Sequence, residues 1–528
     1  MKTPRNGIED RLAAGMTMAE QHEYLRTKLT RRSLVRGGAV VAGALAGTGL
    51  GLEPAAAHER RAAAMPLLYS PTVDGSLVAP FGRHLAFGAD ARTQMRISWQ
   101  VPLAVKRPYI RVGTEPWELS RKIEAEVRVL HTPVLTSKAP AVDQYYLHAA
   151  LDGLRPGTTY YYGVGHDGFD PASPRAFATI GSFTTAPPDG RRERFVFTAF
   201  GDQGVSYHAL ANDSLILAQN PAFHLHAGDI CYADTSGSGS TDDTYDARVW
   251  DQFLAQTESV ASRVPWMVTM GNHDMEAWYS PNGYGGHEAR FSMPDNGASG
   301  ADTPGCYSFV YGNVGVVALD ANDVGVEIPA NRGLSGGSQT AWLDRRLRSL
   351  RARPEVDFVV VFFHYCAYCT TAHASDAGVR DEWVPLFERH GVDLVINGHN
   401  HVYERTDAIR RGAVSRPAPV GSTVSPERDG IVYVTAGGAG AGIYTFTAPE
   451  SYEGHVHDVD AIDTYYWVSE DSKVDETVEW SRVRYSGYCF LAVESRPAPT
   501  GGEAELVVSA LAENGERIDH VTLARTVS

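Results

Sequence analysis

Seven side chains with hard or borderline donor atoms fall just after short apolar runs. Asp202 stands in Phe200-Gly201-Asp202-Gln203-Gly204, and Asp229 and Tyr232 in Gly228-Asp229-Ile230-Cys231-Tyr232. Asn272 lies in Gly271-Asn272-His273-Asp274, His364 follows Val361-Phe362-Phe363, and His399 and His401 lie in Gly398-His399-Asn400-His401. A set of carboxylate, amide, imidazole and phenol donors suits a pair of borderline-to-hard metal ions better than Ca²⁺ or a thiolate zinc site. Two such ions close together bind an ester, supply hydroxide and stabilise the charge of an in-line displacement. No Ser, Thr or Cys occupies a motif position suited to covalent attack, so the pattern favours water as nucleophile.

These donors need strands to hold them. Phe195–Phe200, Ala222–Ala227, Trp266–Met270, Val314–Leu319, Phe358–Phe363 and Leu394–Ile396 are continuous apolar runs, which predicts strands covered on both faces. The donors then sit at the C-terminal ends of strands, where α/β sheets build their sites. Glycines before Asp202, Asp229, Asn272 and His399 let the chain turn sharply there. Leu343, Leu347 and Leu350 share one helical face, as do Val379, Trp383, Leu386 and His390, with Gly391 placed as a C-cap. Upstream the texture is different. From residue 66 to 188 short alternating runs such as Met95–Trp99 and Tyr109–Val112 predict a β-sandwich, closed by the linker Ala186-Pro187-Pro188-Asp189-Gly190. Leu154-Arg155-Pro156-Gly157-Thr158-Thr159-Tyr160 is similar to the tyrosine corner of a fibronectin type III domain. The segments 487–494 and 504–510 return to a strand-like pattern after the α/β region.

The order Asp202, Gly228-Asp229-x-x-Tyr232, Gly271-Asn272-His273, Val361-x-x-His364, Gly398-His399-x-His401 resembles the purple acid phosphatases of the calcineurin-like metallophosphoesterase superfamily. The resemblance extends to Tyr232-Ala233-Asp234 and Val402-Tyr403-Glu404-Arg405 and spans most of residues 195 to 440. It implies an all-β, fibronectin III-like sandwich (66–188) followed by a four-layer αββα catalytic domain of α/β class (194–528). It also implies that Asp202, Tyr232 and His401 hold Fe(III), that Asn272, His364 and His399 hold Fe(II), Zn(II) or Mn(II), and that Asp229 bridges the two. The implied activity is hydrolysis of phosphate monoesters by metal-held hydroxide, with Asn272 and His273 contacting the phosphate and His273 protonating the leaving group. His273 could instead only orient a ligand. His373 stands where related enzymes carry substrate-facing histidines; they often have an adjacent pair, whereas Ala372-His373-Ala374 has one. Substrate contact and an ordinary surface histidine both remain open for it.

Several other residues have bland readings. His224 and His226 precede Asp229 inside an apolar strand and are expected as core or supporting imidazoles. Trp250, Phe253 and Trp383 are expected between helix and sheet, and Tyr365 and Tyr368 either wall the pocket or pack elsewhere. Gly437 to Gly442 is too irregular for a dinucleotide loop and is expected as a turn beside the site. Asp234–Asp243 reads as a polar loop. Cys366-x-x-Cys369 is compatible with a local disulfide, free thiols or a metal role, and Cys231, Cys306 and Cys489 are scattered.

The 528 residues carry 47 Lys+Arg against 63 Asp+Glu, a net charge of −16. That field disfavours nucleic acid and anionic membranes, while bound metal would still admit a small phosphate ester. Arg31-Arg32, the Ala/Gly-rich run Ala39–Leu52 and Ala55-Ala56-Ala57 read as a twin-arginine leader within residues 1–65, predicting a secreted or cell-envelope protein with no stable membrane insertion after its removal. Two other functions compete: a phosphodiesterase or phosphotriesterase using the same donors, and a secreted binding protein with a vestigial catalytic fold. Oligomeric state has no signal in the sequence.

Overall fold

The computed structural model describes residues 74–527 apart from 136–139, 174–175, 177–178, 235–244, 277–278, 281 and 299–302. The leader and most of the 234–243 loop lie outside the described residues. Eight strands come first: β1 (Phe81–Phe87), β2 (Met95–Val101), β3 (Tyr109–Gly113), β4 (Arg121–Glu124), β5 (Glu126–Thr132), β6 (Val142–Leu151), β7 (Thr159–Gly165) and β8 (Gly181–Thr184). They form two antiparallel sheets, ordered β1-β2-β6-β5 and β4-β3-β7-β8. The corner is present, since the Tyr160 hydroxyl accepts from the Arg155 amide at 2.9 Å.

The strands that follow are β9 (Phe195–Phe200), β10 (His224–His226), β11 (Trp266–Val268), β12 (Tyr307–Tyr311), β13 (Val314–Ala318), β14 (Phe358–Phe363), β15 (Ser375–Asp376), β16 (Leu394–Asn397), β17 (Tyr403–Thr406), β18 (Ala408–Arg410), β19 (Ala413–Arg416) and β20 (Thr423–Val424). After them run β21 (Val432–Ala436), β22 (Ile462–Ser469), β23 (Ser472–Val478), β24 (Ser481–Tyr485), β25 (Cys489–Arg496), β26 (Glu503–Ala512) and β27 (Arg517–Thr526). One seven-stranded sheet is ordered β11-β10-β9-β25-β26-β27-β20, the other β12-β13-β14-β16-β21-β17-β24. The run β9, β10, β11 is parallel, as is β13, β14, β16, β21.

All six residues of β14 are buried, and they alternate between two cores. Val360 and Phe362 face Phe197, Leu225 and Leu491 of the other sheet, while Val359, Val361 and Phe363 face helices on the outside. Period-two alternation into two apolar layers is why this strand reads as continuous hydrophobicity. The outer layer over this sheet uses Leu343 and Leu347 of a helix Ser338–Arg351 and Phe387 of a helix Val384–His390. The opposite outer layer uses Trp250, Phe253 and Leu254 of the helix Arg248–Ala261 against Phe200, Trp266 and Val268. The α-helices among the described residues are α1 (Tyr207–Ala218), α2 (Arg248–Ala261), α3 (Gly285–Arg290), α4 (Ser338–Arg351), α5 (Ala377–Glu382), α6 (Val384–His390) and the single turn α7 (Pro426–Asp429). The result is the expected αββα stack.

The helical face Val379, Trp383, Leu386, His390 is not one helix. It breaks at Trp383 into α5 and α6, because Pro385 enters the first turn of α6 and has no amide to continue α5. Gly391 closes α6 in the left-handed region at φ 64°, as its position predicts.

The sandwich is welded to the catalytic domain. Tyr162 donates to the Ser262 carbonyl, His84 to that of Arg290, and His148 to that of Ala289. Beneath this seam the Arg290 guanidinium is fully buried, paired with Glu276 at 2.8 Å and lying 4.1 Å from the Trp250 ring. No helix among the described residues is long and apolar enough to cross a membrane.

Candidate metal centre

The predicted donors converge where β9, β10, β11, β14 and β16 end. Eight non-glycine residues among those described have positive φ, and four of them are predicted donors: Asp202, Asp229, Tyr232 and His399. The left-handed region costs a residue with a Cβ about 1 kcal/mol, so four in one site mark a backbone bent to aim side chains. Neighbouring glycines make room for the bends. A Cβ on Gly271 would lie 2.1 Å from Asp229 Oδ1, and one on Gly398 would lie 2.6 Å from Asp202 Oδ2.

One group of donors comprises Asp202, Tyr232 and His401. The Tyr232 hydroxyl is 3.1 Å from Asp202 Oδ1 and 2.9 Å from His401 Nε2, and that nitrogen is 3.4 Å from Asp202 Oδ1. A second group comprises Asp229, Asn272, His364 and His399. His364 Nε2 lies 3.1 Å from Asn272 Oδ1 and 3.3 Å from Asp229 Oδ2. Ligand atoms of Asp229, His364 and His399 all fall within 4.8 Å of one another.

Backbone partners orient the imidazoles. His364 Nδ1–H donates to the Ala227 carbonyl at 2.8 Å and His401 Nδ1–H to that of Gly442 at 2.7 Å, turning both Nε2 atoms toward the carboxylates. The glycine-rich turn therefore does lie beside the site, and its Gly440 and Ala441 amides donate to the Asp202 carbonyl. His273 donates its amide to Asp229 Oδ1 and its Nδ1–H to the Asp234 carbonyl, leaving Nε2 3.9 Å from Asp229 Oδ2.

The donor set fits metal ions. Donor atoms bound to one first-row ion at ~2.0–2.2 Å stand roughly 3 Å apart, the spacing seen in both groups. Burial disfavours a charged His364, yet the Asp229 carboxylate beside it overcomes this and raises the pKa of that imidazole. Burial lowers that of His399 in the same group.

Sequence reasoning missed three neighbours. Glu327 accepts from His399 Nε2 at 2.8 Å and from His373 Nδ1, and the ligand atoms of these three residues also lie within 4.8 Å of one another. It lies in Val326-Glu327-Ile328-Pro329, at no strand end, so no local signal marks it. Asp274 accepts from the amides of Gly271 and Ile230, joining the turns that carry Asn272 and Asp229; its place directly after Asn272-His273 was a usable signal. Tyr444 stacks on His401 with ring centroids 4.3 Å apart, just beyond the glycine-rich turn.

His373 is drawn in rather than left at the surface: its ring is 4.4 Å from that of His399 and its Nε2 3.3 Å from the Tyr444 hydroxyl. Tyr365 sits edge-on to His399 at 4.6 Å, whereas Tyr368 packs away from the site against Tyr433 and Trp480. His224 and His226 are buried in β10; His224 Nδ1 meets the Thr198 hydroxyl, and both rings pack on Phe200 and Trp266. All five cysteines are free and buried. Cys366 donates to the Gly398 carbonyl under the turn that carries His399.

Residues 80–185 match the family described as purple acid phosphatase, N-terminal domain, and residues 195–403 match calcineurin-like phosphoesterase. An uncharacterized protein of Mycobacterium tuberculosis is 31% identical over 517 residues, spanning 92% of this chain and 93% of its own. Purple acid phosphatase 15 of Arabidopsis thaliana is 30% identical over 294 residues, 52% of each chain. In fold, the chain is similar to a purple acid phosphatase from yellow lupin (Lupinus luteus) seeds, with TM-score 0.63 and 20% identity over 85% of this chain and 75% of that one. The bent strand ends, the paired donor groups and these likenesses meet in one conclusion: the chain belongs to the purple acid phosphatase family and is a metal-dependent phosphoric ester hydrolase.

Proposed function

We propose that the chain is an exported phosphomonoesterase with a binuclear centre. In this reading Asp202, Tyr232 and His401 hold Fe(III), Asn272, His364 and His399 hold Fe(II), Zn(II) or Mn(II), and Asp229 belongs to both. The observation that carries it is the pairing of the two donor groups, one with a phenol 2.9 Å from an imidazole and the other with an amide oxygen 3.1 Å from one. The chemistry that bound metals supply is charge neutralisation of the ester and acidification of a water molecule.

The chain's own residues do the rest. His273 has Nδ1–H committed to the Asp234 carbonyl, so Nε2 is the atom available to give a proton to the leaving oxygen. The side chain is 17% exposed, enough to meet substrate. His373, oriented by Glu327, contributes a second donor to the phosphate, and Asn272 borders the same space. Tyr365 and Tyr444 screen the donors from water, which strengthens every charge interaction there. The Arg31-Arg32 leader supports twin-arginine export, to the cell envelope or beyond, of a protein folded with its metal.

The test is a panel of aryl mono-, di- and triesters at several pH values, with metal content measured on the same preparation. The reading expects at least tenfold higher kcat/KM for the monoester. Preference for a diester or triester would move the function to that class while keeping the site. A chiral phosphorothioate monoester should give inverted product, since water attacks directly; retention would demand a covalent phosphoenzyme.

A further inference from the structure

A cavity of about 420 Å³ lies where the sandwich, the linker and the catalytic domain meet, away from the metal centre. Five arginines line it: Arg92 from the turn after β1, Arg191 and Arg192 directly after the linker, Arg346 from α4, and Arg353 just beyond α4. Four of them have carboxylate partners. Arg92 takes Asp90 and Asp189, Arg191 takes Glu193, Arg192 takes Asp357, and Arg353 takes Glu355.

Arg346 has none among the described residues. Its Nε is buried without a hydrogen-bond partner. Burial lowers the pKa of its guanidinium, and the nearby positive charge of Arg353 lowers it further. A half-buried cation facing a second cation is costly unless an anion completes it. Counted with Glu193 and Asp357, the five arginines face five carboxylates, but Arg92 takes two of these and none pairs with Arg346. The C-terminal end of α4 offsets only part of the Arg346 charge through its carbonyls.

We propose that this seam is a binding site for a free tetrahedral oxyanion of the phosphate or sulfate class, held chiefly by Arg346. A guanidinium presents five N–H donors in a planar fork that matches two oxygens of such an anion. A ligand there would touch the sandwich through Arg92, the segment directly after the linker through Arg191 and the catalytic domain through Arg346. It would therefore stabilise the junction between domains rather than take part in hydrolysis. The site is independent of the metal assignment.

The probe is sulfate, which the enzyme does not hydrolyse, added in the low millimolar range to the metal-loaded full chain at constant ionic strength set with chloride. Wild type should gain ~2–4 °C in Tm and show saturable heat of binding by calorimetry. Arg346→Met should lose that gain and that heat while keeping kcat/KM for an aryl phosphate in sulfate-free buffer. Arg346→Lys, which keeps the charge but not the fork, should bind at least several-fold more weakly. Sulfate bound at the metal centre would act alike on wild type and Arg346→Met, so only the difference reports on the seam. Equal gains in wild type and Arg346→Met, or no saturable heat in wild type, would overturn the proposal.

Discussion

The Glu327 carboxylate lies 2.8 Å from His399 Nε2 and accepts its proton, though Glu327 comes from a loop outside every sequence motif of the site. A carboxylate behind an imidazole fixes its ring and tautomer and raises its basicity as a ligand. Glu327 also receives Nδ1–H of His373, so a single carboxylate orients one donor histidine and one that borders the substrate space.

The first prediction follows from this relationship. Glu327→Gln should bind metal more weakly, losing up to one equivalent per chain on dialysis against a mild chelator, and kcat should fall about 10–100-fold. Glu327→Asp should recover part of both. Full metal content with unchanged kcat in Glu327→Gln would remove the positioning role.

Asp229 is expected to matter more than any other carboxylate. It faces His364, receives the His273 amide and has almost no exposure. Asp229→Asn should lose metal and reduce hydrolysis on the order of 10³-fold or more. His224→Ala, one strand-length back in β10, should keep its metal if it folds. Elemental analysis of both purified variants decides the point; two metals per chain in Asp229→Asn would break the bridging assignment.

Tyr232 distinguishes an iron centre from a Zn or Mn pair. A phenolate on Fe(III) gives a visible charge-transfer band. Protein purified from an iron-replete host without chelators should be coloured, and Tyr232→Phe should bleach while its far-ultraviolet circular dichroism is unchanged. Colourless, fully active, iron-free wild type would leave the esterase and remove the ferric site.

Acid should weaken the seam between the domains. Burial, and then Arg128 nearby, hold the pKa of His148 at about 3, while an unfolded histidine titrates near 6.5. The unfolded chain thus takes up a proton that the folded one refuses. Stability from this residue is complete above about 6.5 and is lost as pH falls toward about 3, by at most about 1.4 kcal/mol per pH unit. The difference in urea midpoint between wild type and His148→Gln should narrow from pH 7 to pH 4. A constant difference across that range would show that His148 does not titrate on unfolding.

The metal donors were legible because the chemistry forces a local pattern: an apolar strand, a glycine and a hard side chain in one short run. Asp202, Asp229, Asn272 and His399 carry that pattern, and the structure brings all four together. Glu327 was not legible because it reaches His399 across the fold from a loop whose local sequence would suit any surface turn. The break at Trp383 was masked because an apolar face with helical spacing runs straight through it, and only Pro385 betrays the boundary. His373 stayed open because its place depends on Glu327 and Tyr444, both distant in sequence. The seam around Arg290 was likewise invisible, since its partners Glu276, Trp250 and Tyr245 gather from separate segments.

The position of β25 beside β9 has a consequence for biosynthesis. β9 delivers Asp202, yet its neighbour on one side is residues 489–496, paired from Leu491 opposite Ala199 to Ser495 opposite Phe195. At ribosomal rates that neighbour emerges on the order of tens of seconds after β9. Until then β9 has one bare edge, and the sheet it anchors ends in the middle. That bare edge is open to edge-to-edge association although all seven predicted donors, from Asp202 to His401, are already made. The strand that delivers Asp202 is thus paired on both sides only once the last strands of the chain have been made.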